Sequence, residues 1–266
     1  MFNFRLSKQA MKYIILLLAH TIAMNTLAQL KPITSGVYHW NELPVTKGNQ
    51  RQSFKIAEGT TNEFEFFEMH ATTQDKGALP RPVHTQENIE EVIIIKEGKM
   101  KCMIGGKKAI LGKGSVLLIP PHEAQEFENV GDGPLTYYVF MFRSKKPMNM
   151  ERSKKAGGTL LLDADSLEYK ESARGGGKKY FDRPTAMCEN YEMHITYLSK
   201  KGPSHAPHQH VDTEIILIID GDTEMMIDGQ TYKAGPGDMY IAESGKMHGI
   251  SNATDKPCSY FAFKWR

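Results

Sequence analysis

One register runs through this chain twice. Glu91, Gly98, Gly106, Gly114, Gln125 and Asn129 recur as Glu214, Gly221, Gly229, Gly237, His248 and Asn252, each pair 123 residues apart. The aromatic run at 137–143 recurs at 260–266, ending on Arg143 and Arg266. Upstream the spacing is 124, pairing Glu68-Met69-His70 with Glu192-Met193-His194 and His84 with His208. The first copy therefore holds one extra residue between His84 and Glu91. A register kept over such distances means two copies of one structural unit. Whatever the fold is, it must occur twice within 266 residues.

Each copy reads as short strands separated by turn chemistry. In the second copy the pattern predicts strands at roughly 191–199, 214–220, 223–228, 231–234, 238–243, 247–252 and 258–265. Asp228-Gly229 is a hairpin signal, and Gly235-Pro236-Gly237-Asp238 is a second turn. Neither copy holds a convincing 3.6-residue period, so the class is all-β, a sandwich or small barrel. The domains then fall at 29–143 and 178–266, joined by a charged linker over 144–177. Leu160-Leu161-Leu162 reads as an added edge strand there. Ala173-Arg174-Gly175-Gly176-Gly177 reads as a flexible spacer; it lacks the spacing of a phosphate-binding loop.

Residues 1–28 read as a secretory signal: Lys8 and Lys12, then Tyr13 to Ala19 as an apolar stretch, then Thr26-Leu27-Ala28 as a cleavage site before Gln29. Met11 is an alternative start. The other reading is a membrane anchor, although the apolar run is short for a span. A signal implies a periplasmic or secreted protein with no membrane association after cleavage. Formal net charge is +2, and three of the positive charges (Arg5, Lys8 and Lys12) lie in the leader, which argues against a nucleic-acid partner. Cys102, Cys188 and Cys258 are an odd set with no metal spacing. They read as small apolar strand residues rather than a disulfide framework.

The chemistry concentrates in the second copy. His208 and His210 lie two residues apart, so on an extended backbone their rings share a side. Glu214 follows and opens the run Ile215-Ile216-Leu217-Ile218-Ile219, which reads as a strand buried on both faces. A carboxylate at the head of such a strand is costly without a positive partner. Together with His248, the set suits a divalent transition metal: Mn or Fe by preference, with Ni, Cu and Zn also compatible. A hydrogen-bonded cluster without metal is the alternative.

Gly202-x5-His208-x-His210-x3-Glu214-x6-Gly221 resembles the first motif of the cupin family, and Gly237-x5-Glu243-x-Gly245-x2-His248-x3-Asn252 resembles the second, with Glu243 where the family usually has Pro. Both copies are covered, so the chain resembles a bicupin. The resemblance implies two tandem cupin jelly-roll barrels, each with a pocket inside one end, and a metal held by His208, His210, Glu214 and His248. The first copy departs from it, with His84, Gln86, Glu91 and Gln125 at those positions and His122 in place of the glycine. It is expected to be metal-poor and chiefly structural, or else a weaker ligand site.

Glu243, Tyr240 and His205 are candidates for moving protons near the metal. His70 and His194 read as structural. Phe261, Phe263 and Trp265 are expected to wall the cavity. The leading functional expectation is a metal-dependent enzyme acting on a small oxygen-rich molecule, such as a sugar derivative, a uronate or another carboxylate. Isomerase, lyase, hydrolase and dioxygenase chemistry all fit such a centre. A non-catalytic metabolite binder is the alternative. Ureidoglycine aminohydrolases are bicupins with a similar strand before the 204–205 loop, but their ligand set differs; oxalate decarboxylases and quercetinases share the ligand set. A homodimer through sheet edges is compatible with the family.

Overall fold

The computed structural model describes residues 30–266, so the leader expected at 1–28 lies outside the described residues. Pro32–Arg266 is one compact unit. Its strands form two seven-stranded sheets, one four-stranded sheet and one three-stranded sheet. The one α-helix among the described residues is the short α1 (Met150–Lys155), in the linker. No described helix is long and apolar enough to cross a membrane.

The strand Thr213–Asp220 shows why an unbroken apolar run is needed. Ile215 and Leu217 point into a core between the two large sheets, while Ile216 and Ile218 point into the second barrel. Both faces are dry, so the usual polar alternation disappears. Ile93 and Ile94 divide in the same way in the first copy. Each barrel is thus a large sheet closed by a small one, and the two barrels lie back to back through their large sheets. The observed strands of the second copy begin and end within a residue or so of the expected ones. Asp228 and Gly229 both have positive φ in the hairpin between Thr223–Ile227 and Gln230–Ala234.

The sequence repeat and the barrels do not share boundaries. Gly36–Tyr38 pairs with Met239–Ala242, a strand of the second barrel. Leu160–Leu162, its counterpart 124 residues on, pairs with Val116–Ile119 of the first barrel. Each copy therefore gives its leading strand to the other barrel. The exchange is pinned at Asp238, which accepts from the Trp40 backbone N–H at 2.8 Å and meets His39 Nδ1 at 3.0 Å. Trp40 also stacks on Phe54 of the first copy, with ring centroids 4.7 Å apart.

Gly175-Gly176-Gly177 is not a spacer; it opens the strand Gly175–Arg183, where the missing side chains let Tyr169 and the neighbouring backbone approach closely. Phe261, Phe263 and Trp265 do not wall the interior of the second barrel. They lie in the core between the large sheets, with Phe263 against Phe140 at 4.9 Å and Trp265 against Phe64 at 5.2 Å. The inward face of that strand carries Tyr260, Ala262 and Lys264 instead. The three cysteines are buried and free.

Separated copies should fail for a specific reason. A fragment of residues 29–143 lacks the strand Leu160–Leu162 and exposes half of the aromatic core. We expect it to aggregate on size-exclusion chromatography, whereas the chain from 29 onward elutes as a folded species. Gly221 adopts φ +73°, and a Cβ there would sit 2.5 Å from the Pro257 carbonyl oxygen. Gly221→Ala should cost about 2 kcal/mol or more in urea unfolding.

Candidate metal centre

Backbone pairing delivers the four ligand candidates to one end of the second barrel. His208 and His248 form an isolated two-hydrogen-bond bridge, with N–H to carbonyl distances of 2.9 and 2.8 Å. The Gly245 N–H donates to the His210 carbonyl at 2.8 Å, closing the loop over the site. Glu214 enters from the large sheet and is buried, as is His248. One donor atom from each of His208, His210, Glu214 and His248 lies within 4.8 Å of the others.

The geometry fits a cation. His210 Nδ1 faces the Asp212 carbonyl at 3.0 Å, and His248 Nδ1 faces the Lys246 carbonyl at 2.7 Å. Those Nδ1 atoms are donors, which leaves each Nε2 as a lone pair when the ring is neutral. Both Nε2 atoms point at Glu214 Oε2, at 3.0 and 2.9 Å. Lone pairs so opposed need a positive centre between them, either protons or a metal. Two ligands at about 2.1 Å and about 90° on one ion are about 3.0 Å apart, which matches. The His208 Nδ1 is buried without a hydrogen-bond partner. Burial would raise the Glu214 carboxyl, but the hydrogen bonds with His210 and His248 outweigh it and hold it well below the usual carboxylate range. Burial, with the neighbouring His248 and His205, lowers the His208 imidazole. Burial would lower His248 too, but its contacts with Glu214 and the Lys246 carbonyl raise it.

The first copy reproduces the backbone and replaces the chemistry. His84 and Gln125 form the equivalent bridge, and the His122 N–H donates to the Gln86 carbonyl at 2.7 Å. Where two imidazoles would face the carboxylate, Gln86 Nε2 and Gln125 Nε2 donate to Glu91 at 3.1 and 2.8 Å. Neutral N–H groups fill the place of the cation. His122 adopts φ +68° where the second copy has Gly245 at +77°, and its ring turns outward to Glu87 at 3.4 Å.

The proton-transfer candidates fare unequally. His205 is exposed, with its ring 4.6 Å from that of His208, at the edge of the centre. Tyr240 is fully buried deeper in the barrel, and its hydroxyl donates to the Thr223 carbonyl at 3.0 Å. Glu243 turns away from the centre: its Oε2 accepts from the Ser35 backbone N–H at 2.9 Å and from the Ser35 hydroxyl at 2.8 Å. It anchors the crossing N-terminal segment.

The register brings other residues to the site. Lys264 pairs directly with Glu214 on one side and with Glu192 on the other, so all three side chains share the barrel's inner face. Lys264 Nζ lies 3.5 Å from Glu192 Oε2, and His194 Nδ1 lies 3.4 Å from Glu192 Oε1. His194, read from sequence as structural, therefore faces the chamber beside the ligands. The signal was available: Lys264 interrupts an otherwise apolar strand at the inward parity, and its counterpart in the first copy is Met141.

The cupin domain family model matches residues 70–141 and 195–264. No curated protein matches the chain. Among solved structures, the chain is similar to the protein Ylba from E. coli (16% identity, 93% of this chain and 96% of that one, TM-score 0.67). It is also similar to AerE from Microcystis aeruginosa (12%, 86% and 98%, TM-score 0.66) and to oxalate decarboxylase from Lactobacillus farciminis (12%, 88% and 87%, TM-score 0.63).

Elemental analysis should find one transition metal per chain, lost in His208→Ala and His248→Ala and retained in Gln125→Ala. Metal also competes with protons. In the metal-free protein the lowered Glu214 contributes stability above about pH 4.3, lost as pH falls through its folded pKa. The raised His248 contributes below about pH 6.5, lost as pH rises through its folded pKa. Metal requires the neutral ring. The drop in melting temperature on adding EDTA should therefore be small near about pH 5.5 and large near about pH 8. Separately, His122→Gly should raise stability by about 0.5–1 kcal/mol by relieving the left-handed backbone.

Proposed function

Because the chain belongs to the cupin family and carries its domain twice, we propose that it is a secreted, metal-dependent bicupin enzyme working in its second barrel on a small oxygen-rich metabolite. The class is a sugar derivative, a uronate or another short carboxylate able to present two oxygens. The observation that carries this reading is the Lys264–Glu192–His194 cluster on the same inner face as the four ligand candidates. A metabolite binder needs no proton relay beside its clamp.

His208, His210, Glu214 and His248 would hold the metal, with Mn or Fe favoured. When bound, it supplies Lewis-acid polarisation of a carbonyl or enolate oxygen. The protein's own groups do the rest. The Lys264 ammonium offers a cation for a carboxylate or a developing oxyanion. Glu192 holds Lys264 and His194 in place. His194, joined to that carboxylate through Nδ1, is positioned to give and take a proton. Ile216, Ala262 and the aromatic Tyr260 below exclude water from the floor. A paired cation and base favour isomerisation or elimination next to a carbonyl.

Lys264→Met copies the residue found in the first barrel. It should leave metal content at one per chain and reduce turnover by about 10²–10⁴-fold, measured across a panel of uronates, keto sugars and hydroxy acids. Metabolite binding without turnover in the metal-loaded wild type would favour the binder. Export is tested separately: protein recovered from outside the cytoplasm should begin at Gln29.

A further inference from the structure

We propose that the first barrel is a metal-free binding site for a short hydroxycarboxylate, independent of the chemistry of the second. Its interior holds a cavity of ≈ 160 Å³. A dry cavity of about 150 Å³ admits benzene, six heavy atoms, so this one has room for a three-carbon hydroxy acid.

The lining selects against a cation and for an anion with a hydroxyl. Both oxygens of Glu91 are already covered by the amide N–H groups of Gln86 and Gln125. Arg81 lines the cavity, is exposed at its mouth, and forms no ion pair with an acidic side chain among the described residues. Its guanidinium is free to take a carboxylate bidentately.

The interior also carries unmet hydrogen-bonding capacity. Gln74, on the lining, is 2% exposed. Its Nε2 donates to the Tyr137 hydroxyl at 3.1 Å, and its Oε1 is buried with no partner. Turning the amide over would only transfer the deficit to the nitrogen. Gln125 Oε1, in a residue 1% exposed, is also buried without a partner. A buried acceptor left unpaired costs about 1–3 kcal/mol, and a ligand hydroxyl reaching Gln74 removes that cost. The second barrel places Lys264 where the first has Met141, so the proton-moving cluster is incomplete here. The site binds and does not turn over.

The test is isothermal titration of lactate and of glycerate into the intact metal-loaded chain and into the same chain after EDTA. One molecule should bind per chain after EDTA and at least one before it, and after EDTA propionate (no hydroxyl) and glycerol (no carboxylate) should bind at least about tenfold more weakly. Arg81→Ala, a change at an exposed side chain, should weaken lactate by about tenfold or more while leaving the melting temperature unchanged. Gln74→Leu should weaken it similarly. Absence of binding by both hydroxy acids would overturn the proposal. So would binding that EDTA abolishes and Arg81→Ala leaves intact, since that locates the ligand at the second barrel. Neither result bears on turnover there, so the two readings fail separately.

Discussion

A carboxylate buried at the head of an apolar strand must be compensated, and this molecule meets that demand twice on one backbone. In the second barrel the lone pairs of His210 and His248 converge with Glu214 on a point that only a proton or a metal can occupy. In the first, the amides of Gln86 and Gln125 bring their own hydrogens to Glu91, and no cation is called for. Burial penalises charge at both sites. What differs is whether the surrounding groups donate or accept. The same bridge, the same turn and the same strand thus produce a metal-competent centre in one copy and a neutral network in the other.

The back-to-back arrangement explains why both copies persist in one chain. Each large sheet is apolar on its outer face, where it meets the other sheet, so neither barrel can present that face to water. The contact is also specific. Glu90 of the first copy accepts from the Thr185 hydroxyl at 2.6 Å and from the backbone N–H groups of Met187 and Ala186 at 2.9 and 3.2 Å. In the reverse direction, Glu63 accepts from the Thr213 hydroxyl at 3.0 Å and from Trp265 Nε1 at 3.2 Å. Glu90 and Thr213 are repeat equivalents, so the two contacts mirror one another with the chemistry reversed. The exchanged strands then tie each barrel to a segment from the other.

The similarity to AerE, to Ylba and to oxalate decarboxylase extends over most of each chain at 12–16% identity. That is likeness of fold. Reaction and substrate depend on which side chains line the chamber, and at this distance those vary freely. The inner face of the second barrel is therefore where function must be read in this chain.

The sequence by itself determined the duplication, the all-β class, nearly every strand of the second copy and the residue types of the ligand set. These are local or periodic properties: turn glycines, alternation and spacing survive without knowledge of what lies across the sheet. The cross-strand register was decided only in the tertiary structure. It turned Glu243 to Ser35 and put Tyr240 below the centre, while drawing Lys264, Glu192 and His194 to the chamber. It also sent Phe263 and Trp265 into the inter-sheet core and gave each copy's leading strand to its neighbour. A one-residue change of parity moves a side chain from one face to the other. Along strands dry on both faces the sequence leaves few polar marks of parity, and the one at Lys264 gains its meaning only from the register that sets it opposite Glu214.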